Sequence, residues 1–195
     1  MPDRIDYAFI AAREGGIRLD GYVPDALLSG SGVTIATGFD LGQRRRSDLV
    51  ALGLPSRLTD QLAPYLGAKR QDARKLIGER PLRITMADAL LINRTFKQKF
   101  VKELAAAYAA SPHNSREKAF FELPAQAQTV IASVAFQYGN LASEAPRFWQ
   151  AACARDWPAT IAELRNFGDS YDSRRHLEAD LLATMTRATV AEAAR

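Results

Sequence analysis

An α+β architecture is predicted for these 195 residues, with a small N-terminal β-hairpin or sheet lobe beside a mainly helical lobe built round a central apolar helix. Three observations carry it. Glycines crowd between residues 15 and 43, at Gly15, Gly16, Gly21, Gly30, Gly32, Gly38 and Gly42, with β-favouring stretches between them. From residue 47 onward, apolar residues recur at helical spacing in segment after segment. One such segment, Ala125 to Tyr138, is apolar on almost every side, the pattern of a helix enclosed by others.

In chain order, Ile5 to Arg13 reads as a short amphipathic helix with Ile5, Phe9 and Ala12 on one side, ended by Gly15-Gly16. Leu19–Val23 and Gly32–Asp40 read as strands, and the turn-rich run Leu27 to Ser31 joins them as a hairpin. Ser47 is placed to cap a helix ending at Gly53. Pro55 opens another with Leu58, Leu62 and Leu66 in register, and Ala68 to Ile77 forms a third, stopped by Gly78. Thr85-Met86-Ala87-Asp88 has the form of an N-terminal cap followed by an acid in the first turn. A long helix then runs through Tyr108 with Ala89, Ile92, Phe96, Phe100, Leu104 and Ala107 on its apolar side. Leu123-Pro124 introduces the central helix, closed by Gly139-Asn140. Pro146–Ala154, Trp157–Asn166 and Arg174–Thr189 complete the set.

Composition sets the bounds. With 47% apolar and 25% charged residues the chain is ordinary globular material. Its length suits a single domain, 1–195, with a hairpin region at about 15–43 and a helical body at 47–195. The one cysteine, Cys153, excludes a disulfide framework and a multi-cysteine zinc site, and its expected place is the core. His113 and His176 lie far apart without acids at ligand spacing, so no metal site and no cofactor is expected. Trp149 and Trp157 read as core aromatics. Twenty-six Lys and Arg against 22 Asp and Glu leave +4, which suits an approach to an anionic surface. Arg44-Arg45-Arg46 reads as a solvated loop. No basic recognition helix appears, so nucleic acid is not an expected partner. No stretch nears the roughly 20 apolar residues that span a bilayer, so stable membrane insertion is not expected either. The start of the chain shows no apolar signal region. Synthesis in the cytoplasm is therefore expected, with other machinery carrying the protein to any site beyond it.

The chemistry-bearing phrase is Gly32 to Asp40, Gly-Val-Thr-Ile-Ala-Thr-Gly-Phe-Asp. Strand alternation puts Val33, Ile35, Thr37 and Phe39 on one face and Thr34, Ala36, Gly38 and Asp40 on the other. The first face is apolar and packs; the second leaves room for a ligand. On a straight strand Thr34 and Asp40 would stand roughly 20 Å apart, so the strand must bend, most cheaply at Gly38. Glu14 sits where a helix should end, a place the helix dipole disfavours for a carboxylate. A protonated carboxyl and an ionised carboxylate flanking one bond are what glycosidic hydrolysis requires. Glu14 and Asp40 can supply them, with the Thr34 hydroxyl orienting a water; the other reading of the phrase is a surface hairpin with an Asp in its turn.

The segment AAREGGIRLDGYVPDALLSGSGVTIATGFDLGQ, residues 11–43, resembles the catalytic region of phage-type lysozymes, muramidases of the glycoside hydrolase family 24 type. The phrase GVTIATGFDLG places the likeness nearest their pesticin-like branch. Further likeness runs through LPAQAQTVIASVAFQYG, similar to that family's central helix, and through DWPATIAELRNF and SRRHLEADLL, similar to its closing helices with paired arginines. The resemblance implies a lysozyme-like fold and hydrolysis of the glycan strands of peptidoglycan, with inversion. It makes Glu14 the general acid, Thr34 the water-positioning hydroxyl and Asp40 the second carboxylate. Asp20 and Asp25, which precede Thr34, are the alternatives to Asp40, which is preferred for sharing a strand face with Thr34. Gln137, Tyr138 and Asn140, at the end of the central helix, become candidate saccharide contacts, with capping as their other reading. Arg174 and Arg175 are expected to pair with acids or caps. A monomer is expected, acting in the periplasm or wall of a target or host bacterium. It would be either an antibacterial effector toxin, with a cognate periplasmic immunity protein as partner, or a phage endolysin. The competing class is a non-catalytic peptidoglycan- or chitin-binding module that retains the fold.

Overall fold

The structure, a computed structural model, describes residues 3–13, 15–24, 26, 30–114 and 118–193, with side chains described through residue 185. Its elements in order are α1 (Tyr7–Ala11), β1 (Arg18–Tyr22), β2 (Thr34–Ala36), β3 (Phe39–Asp40), α2 (Arg46–Ala51), α3 (Ser56–Leu62), α4 (Arg70–Glu79) and α5 (Met86–Ala110). They continue with α6 (Ala125–Tyr138), α7 (Leu141–Glu144), α8 (Pro146–Ala154), α9 (Trp157–Arg165) and α10 (Asp172–Ala193). The α+β reading holds: a largely helical chain carries one small antiparallel sheet, in the order β1-β2-β3. The residues gather into two compact units, Glu14–Phe100 and Met1–Arg13 with Val101–Arg195, and α5 contributes to both.

In the first unit, β1 pairs with β2, and residues 82–84 add a further edge to β1 through Gly21 N–H to Leu82 O (2.8 Å) and Ile84 N–H to Leu19 O (2.9 Å). The sheet and helices α2 to α4 share one core, in which Val33, Ile35, Leu41, Leu49, Leu58 and Leu62 are fully enclosed. The hairpin region is thus packed with the helices that follow it. Gly32–Asp40 is not one bent strand. Thr37-Gly38 turns the chain back on itself, with Gly38 at φ +76°, and β2 and β3 form a second, very short hairpin. Ala36 (φ +52°) and Gly38 are both left-handed, and the chain reverses across the three residues between the paired Ile35 and Phe39, so no gradual bend is needed.

Several local expectations shift. In α1 the buried residue is Ile10, and Ala12 is exposed, because the helix begins at Asp6, whose carboxylate caps it through Phe9 N–H (2.9 Å). Ser47 lies inside α2, where Asp48 accepts the Arg45 N–H (2.7 Å) and does the capping instead. Gly78 lies within α4, which runs on to Glu79. Thr85 caps α5 as predicted, exchanging bonds with Asp88: the Asp88 N–H reaches the Thr85 hydroxyl (3.1 Å), which donates to Asp88 (2.7 Å). Farther along α5 the buried residues are Val101, Leu104 and Tyr108, and Ala107 is exposed.

In the second unit, α6 occupies its predicted span, and every residue from Ala127 to Ala135 is buried. Arg4 ties the N-terminal segment to it, donating from its backbone to Gln128 (3.0 Å) and from its guanidinium to Leu123 O (2.7 Å). Trp149 is buried edge-on to Tyr108, while Trp157 is only half-buried. Cys153 is buried, and that burial pushes its thiol up to about 11, which removes it as a nucleophile.

Candidate functional site

Thr34 and Asp40 are directly opposed across β2 and β3, so the two residues lie on one face of the sheet. The shared face was foreseen; the cross-strand pairing that produces it was not. Both side chains hold Gly32. The Thr34 hydroxyl donates to its carbonyl (3.2 Å), and Asp40 Oδ1 accepts its N–H (3.0 Å) together with that of Gly42 (2.8 Å). Gly32 and Gly42 are in backbone contact: a Cβ on Gly32 would lie 2.2 Å from Ala68 O and 2.5 Å from Gly42 Cα. Such an approach admits only glycine. Thr34 is 2% exposed and Asp40 half-buried. Among the described residues, Asp40 Oδ2 accepts no hydrogen bond.

The turn between the two strands is pinned from α5. Thr37 N–H donates to Asn93 Oδ1 (3.2 Å), and Asn93 Nδ2 returns a bond to the Thr37 hydroxyl (3.0 Å). Arg44 is not simply solvated: its guanidinium lies over the rings of Phe39 (5.2 Å) and Phe96 (4.9 Å), while Arg46 pairs with Asp60. Asn93 went unforeseen because a half-buried polar residue on a long helix carries no pattern of its own.

Of the other carboxylates, Asp20 is exposed and held bidentately by Arg83 Nη1 (2.7 and 2.8 Å). Glu14 and Asp25 lie outside the described residues.

The second unit gathers Gln137 and Tyr138 round a buried arginine. Arg175, 1% exposed, uses all three guanidinium nitrogens: Nε donates to Asp169 Oδ2 (3.1 Å), Nη1 to Glu178 Oε2 and Nη2 to Gln137 Oε1. Its plane lies over the rings of Phe167 (4.9 Å) and Tyr138 (5.6 Å). The Tyr138 hydroxyl donates to the same Asp169 oxygen (2.5 Å), and Asp169 Oδ1 takes the Tyr171 N–H (2.8 Å). Glu178, wholly buried, also accepts from Ser133 (2.5 Å) and from Arg174 Nε (3.2 Å), while Arg174 Nη2 reaches Ser133 O (3.0 Å). Burial pushes Asp169 up, but donation from Tyr138, Tyr171 and Arg175 outweighs it and leaves the carboxyl below its usual range. Burial, reinforced by Asp169, raises the Tyr138 phenol to about 12, so it keeps its proton.

The expected pairing of Arg174 and Arg175 with acids is what the fold contains. The partner acids are not named by the sequence reading: the spacing of three and four residues on one helix is a signal that could have found Glu178, whereas Asp169, in the loop before α10, carries none. Asn140 caps α7 through Ala142 N–H (3.0 Å) and is exposed. Among the described residues no group of three or more His, Cys, Asp or Glu side chains could hold a metal ion.

No curated protein matches the chain. A family model described as "Pesticin: Bacterial toxin homologue of phage lysozyme, C-term" matches residues 4–158, which include Thr34, Asp40, Gln137, Tyr138 and Asn140 and stop short of Asp169, Arg174, Arg175 and Glu178. That match covers well over half of the sequence, and the chain belongs to the pesticin family of bacterial toxins homologous to phage lysozyme.

Proposed function

We propose that the protein is a muramidase that hydrolyses the glycan backbone of peptidoglycan by acid/base catalysis with inversion. The observation that supports it most is the opposed pair Thr34 and Asp40 in a chain of a lysozyme-homologous toxin family. Glu14 is the general acid and gives its proton to the leaving glycosidic oxygen. Asp40 Oδ2 takes a proton from the attacking water, and Thr34, whose own proton is committed to Gly32, offers that water a lone pair. The water oxygen bonds to the anomeric carbon as the C–O bond opposite breaks. This geometry calls for carboxyls about 6.5–9.5 Å apart. Gln137 and Tyr138 contact the saccharide. The protein works on the wall or in the periplasm of another bacterium as an antibacterial effector, delivered by separate machinery and countered by an immunity protein.

A second reading, a non-catalytic wall-binding module, is favoured by one observation: the bonds of Thr34 and Asp40 Oδ1 to Gly32 give both residues a purely structural use. Clearing of a purified peptidoglycan suspension separates the two. Glu14→Gln and Asp40→Asn are each expected to slow clearing by about 10²–10⁴-fold, the usual worth of a proton-transfer group. Asparagine keeps an oxygen for the Gly32 and Gly42 amides, so an unchanged melting temperature would assign the loss to chemistry. Wild-type protein that binds peptidoglycan without clearing it would establish the module. Released fragments with reducing ends, rather than anhydro ends one water lighter, would establish hydrolysis.

A further inference from the structure

Arg175, Glu178 and Asp169 form an ionic cluster whose first two members are sealed from solvent, 1% and 0% exposed. Sealing charges away is expensive, and apolar residues of similar volume usually serve stability as well or better. The cluster therefore calls for a use beyond holding α10 against α6. Its two outlets are Gln137 and Tyr138, half-buried neighbours at the end of α6.

Each outlet is polarised by the cluster. Arg175 has only protons to give and occupies Gln137 Oε1, so the amide must turn its Nε2 away from the guanidinium. That Nε2 makes no hydrogen bond among the described residues and is not among their buried unpartnered atoms. It is a donor left open. The ionised Asp169 can only accept, so it takes the Tyr138 proton and leaves that hydroxyl with lone pairs alone. Arg175 links the two by holding Gln137 with Nη2 and Asp169 with Nε.

We propose that Arg175 and Asp169 are positioning residues that fix Gln137 as a hydrogen-bond donor and Tyr138 as an acceptor, a pair complementary to the C=O and N–H of a secondary amide. The proposal rests on the muramidase reading for the placement of Gln137 and Tyr138 against substrate, and specifies which group of the substrate they read. Peptidoglycan carries secondary amides both in the acetamido groups of its sugars and in its stem peptides. The donor–acceptor order suits either.

The test is equilibrium binding by the full chain of three neutral or near-neutral probes: a β-1,4 tetramer of N-acetylglucosamine, the β-1,4 tetramer of glucose, and an Ala-Glu-Lys-Ala stem-type tetrapeptide. The glucose tetramer has the same backbone and no amide. Binding of the acetylated sugar at least tenfold tighter than the glucose tetramer assigns the amide to the sugar, and tight binding of the peptide alone assigns it to the stem. Tyr138→Phe and Gln137→Glu should each cut the preference about five- to tenfold, through lost acceptor and lost donor. Asp169→Asn should cut it similarly, Asp169→Glu should restore much of it, and Asp180→Asn, in a surface pair with Arg165, should leave it unchanged. Equal binding of both sugars with no binding of the peptide overturns the proposal, as does a full preference surviving in Asp169→Asn. The muramidase reading fails separately: wild-type protein that keeps the preference but does not clear peptidoglycan defeats hydrolysis and leaves the amide site standing.

Discussion

Both compact units bury an acid against an arginine, but they differ in where the arginine stands. In Glu14–Phe100, Asp88 is buried at the start of α5, and Arg57 reaches it from solvent at 2.5 Å with 64% of its side chain exposed. In the helical unit, Arg175 and Glu178 are both sealed. Net charge follows the same division. Residues 14–100 hold 14 Lys and Arg against 9 Asp and Glu, a net +5, and the remainder holds 12 against 13, a net −1. The whole basic excess therefore sits with the sheet and with Thr34 and Asp40, where it would favour approach to an anionic wall. The lesson is that like ion pairs carry unlike consequences: one can exchange its cation for water, and the other cannot.

The sharpest way to break that contrast is Arg175→Met. It should cost about 3–5 kcal/mol in denaturant unfolding, because Glu178 is left buried and charged. Arg57→Met should cost clearly less. Adding Glu178→Leu to Arg175→Met should recover most of the loss, and a double variant no more stable than the single would show that packing, rather than charge, sets the cost. Next in size is Gly32→Ala, whose new methyl meets backbone on two sides; about 1–3 kcal/mol is expected from overpacking, read as a lowered melting temperature. A neutral effect would mean that the strands can separate there.

Acid should bring out the smallest difference. The hydrogen bond from Arg57 is the main force holding Asp88 below its ordinary value, and the donors round Asp169 outweigh its burial to the same end. A carboxyl lowered in the folded state adds stability that is complete above its unfolded value, about 3.9. That stability is lost as pH falls from there through the folded value. Unfolding free energies taken at pH 6, 4 and 3 should therefore drop, and Asp88→Asn and Asp169→Asn should each flatten the drop. A variant whose slope matches the wild type would remove its carboxylate from the account.

Elements with a period or a punctuating residue were legible from sequence. The span of α6, the Thr85–Asp88 cap and the start of α8 at Pro146 follow from local rules that act within one turn of helix. The second hairpin was not, since alternation is indifferent to whether Thr34 and Asp40 share a face along one strand or across two. The left-handed backbone at Ala36 and Gly38 decides between them. Gly32 and Gly42 were visible as glycines, but their backbone contact arises from pairing at a distance. The same holds for Asp169 and Asn93, whose partners lie on other elements.

The grip of Asp40 on Gly32 and Gly42 also bears on how substitutions at that position would be tolerated. The fold asks this residue for one acceptor oxygen, which asparagine has and alanine or leucine lacks. A relative that made no use of the acid could drift to asparagine and keep both amides paired, whereas an apolar residue would leave two amides stranded. Only the second oxygen, Oδ2, and the negative charge are surplus to folding, and a persistent acid at position 40 would be maintained for those alone.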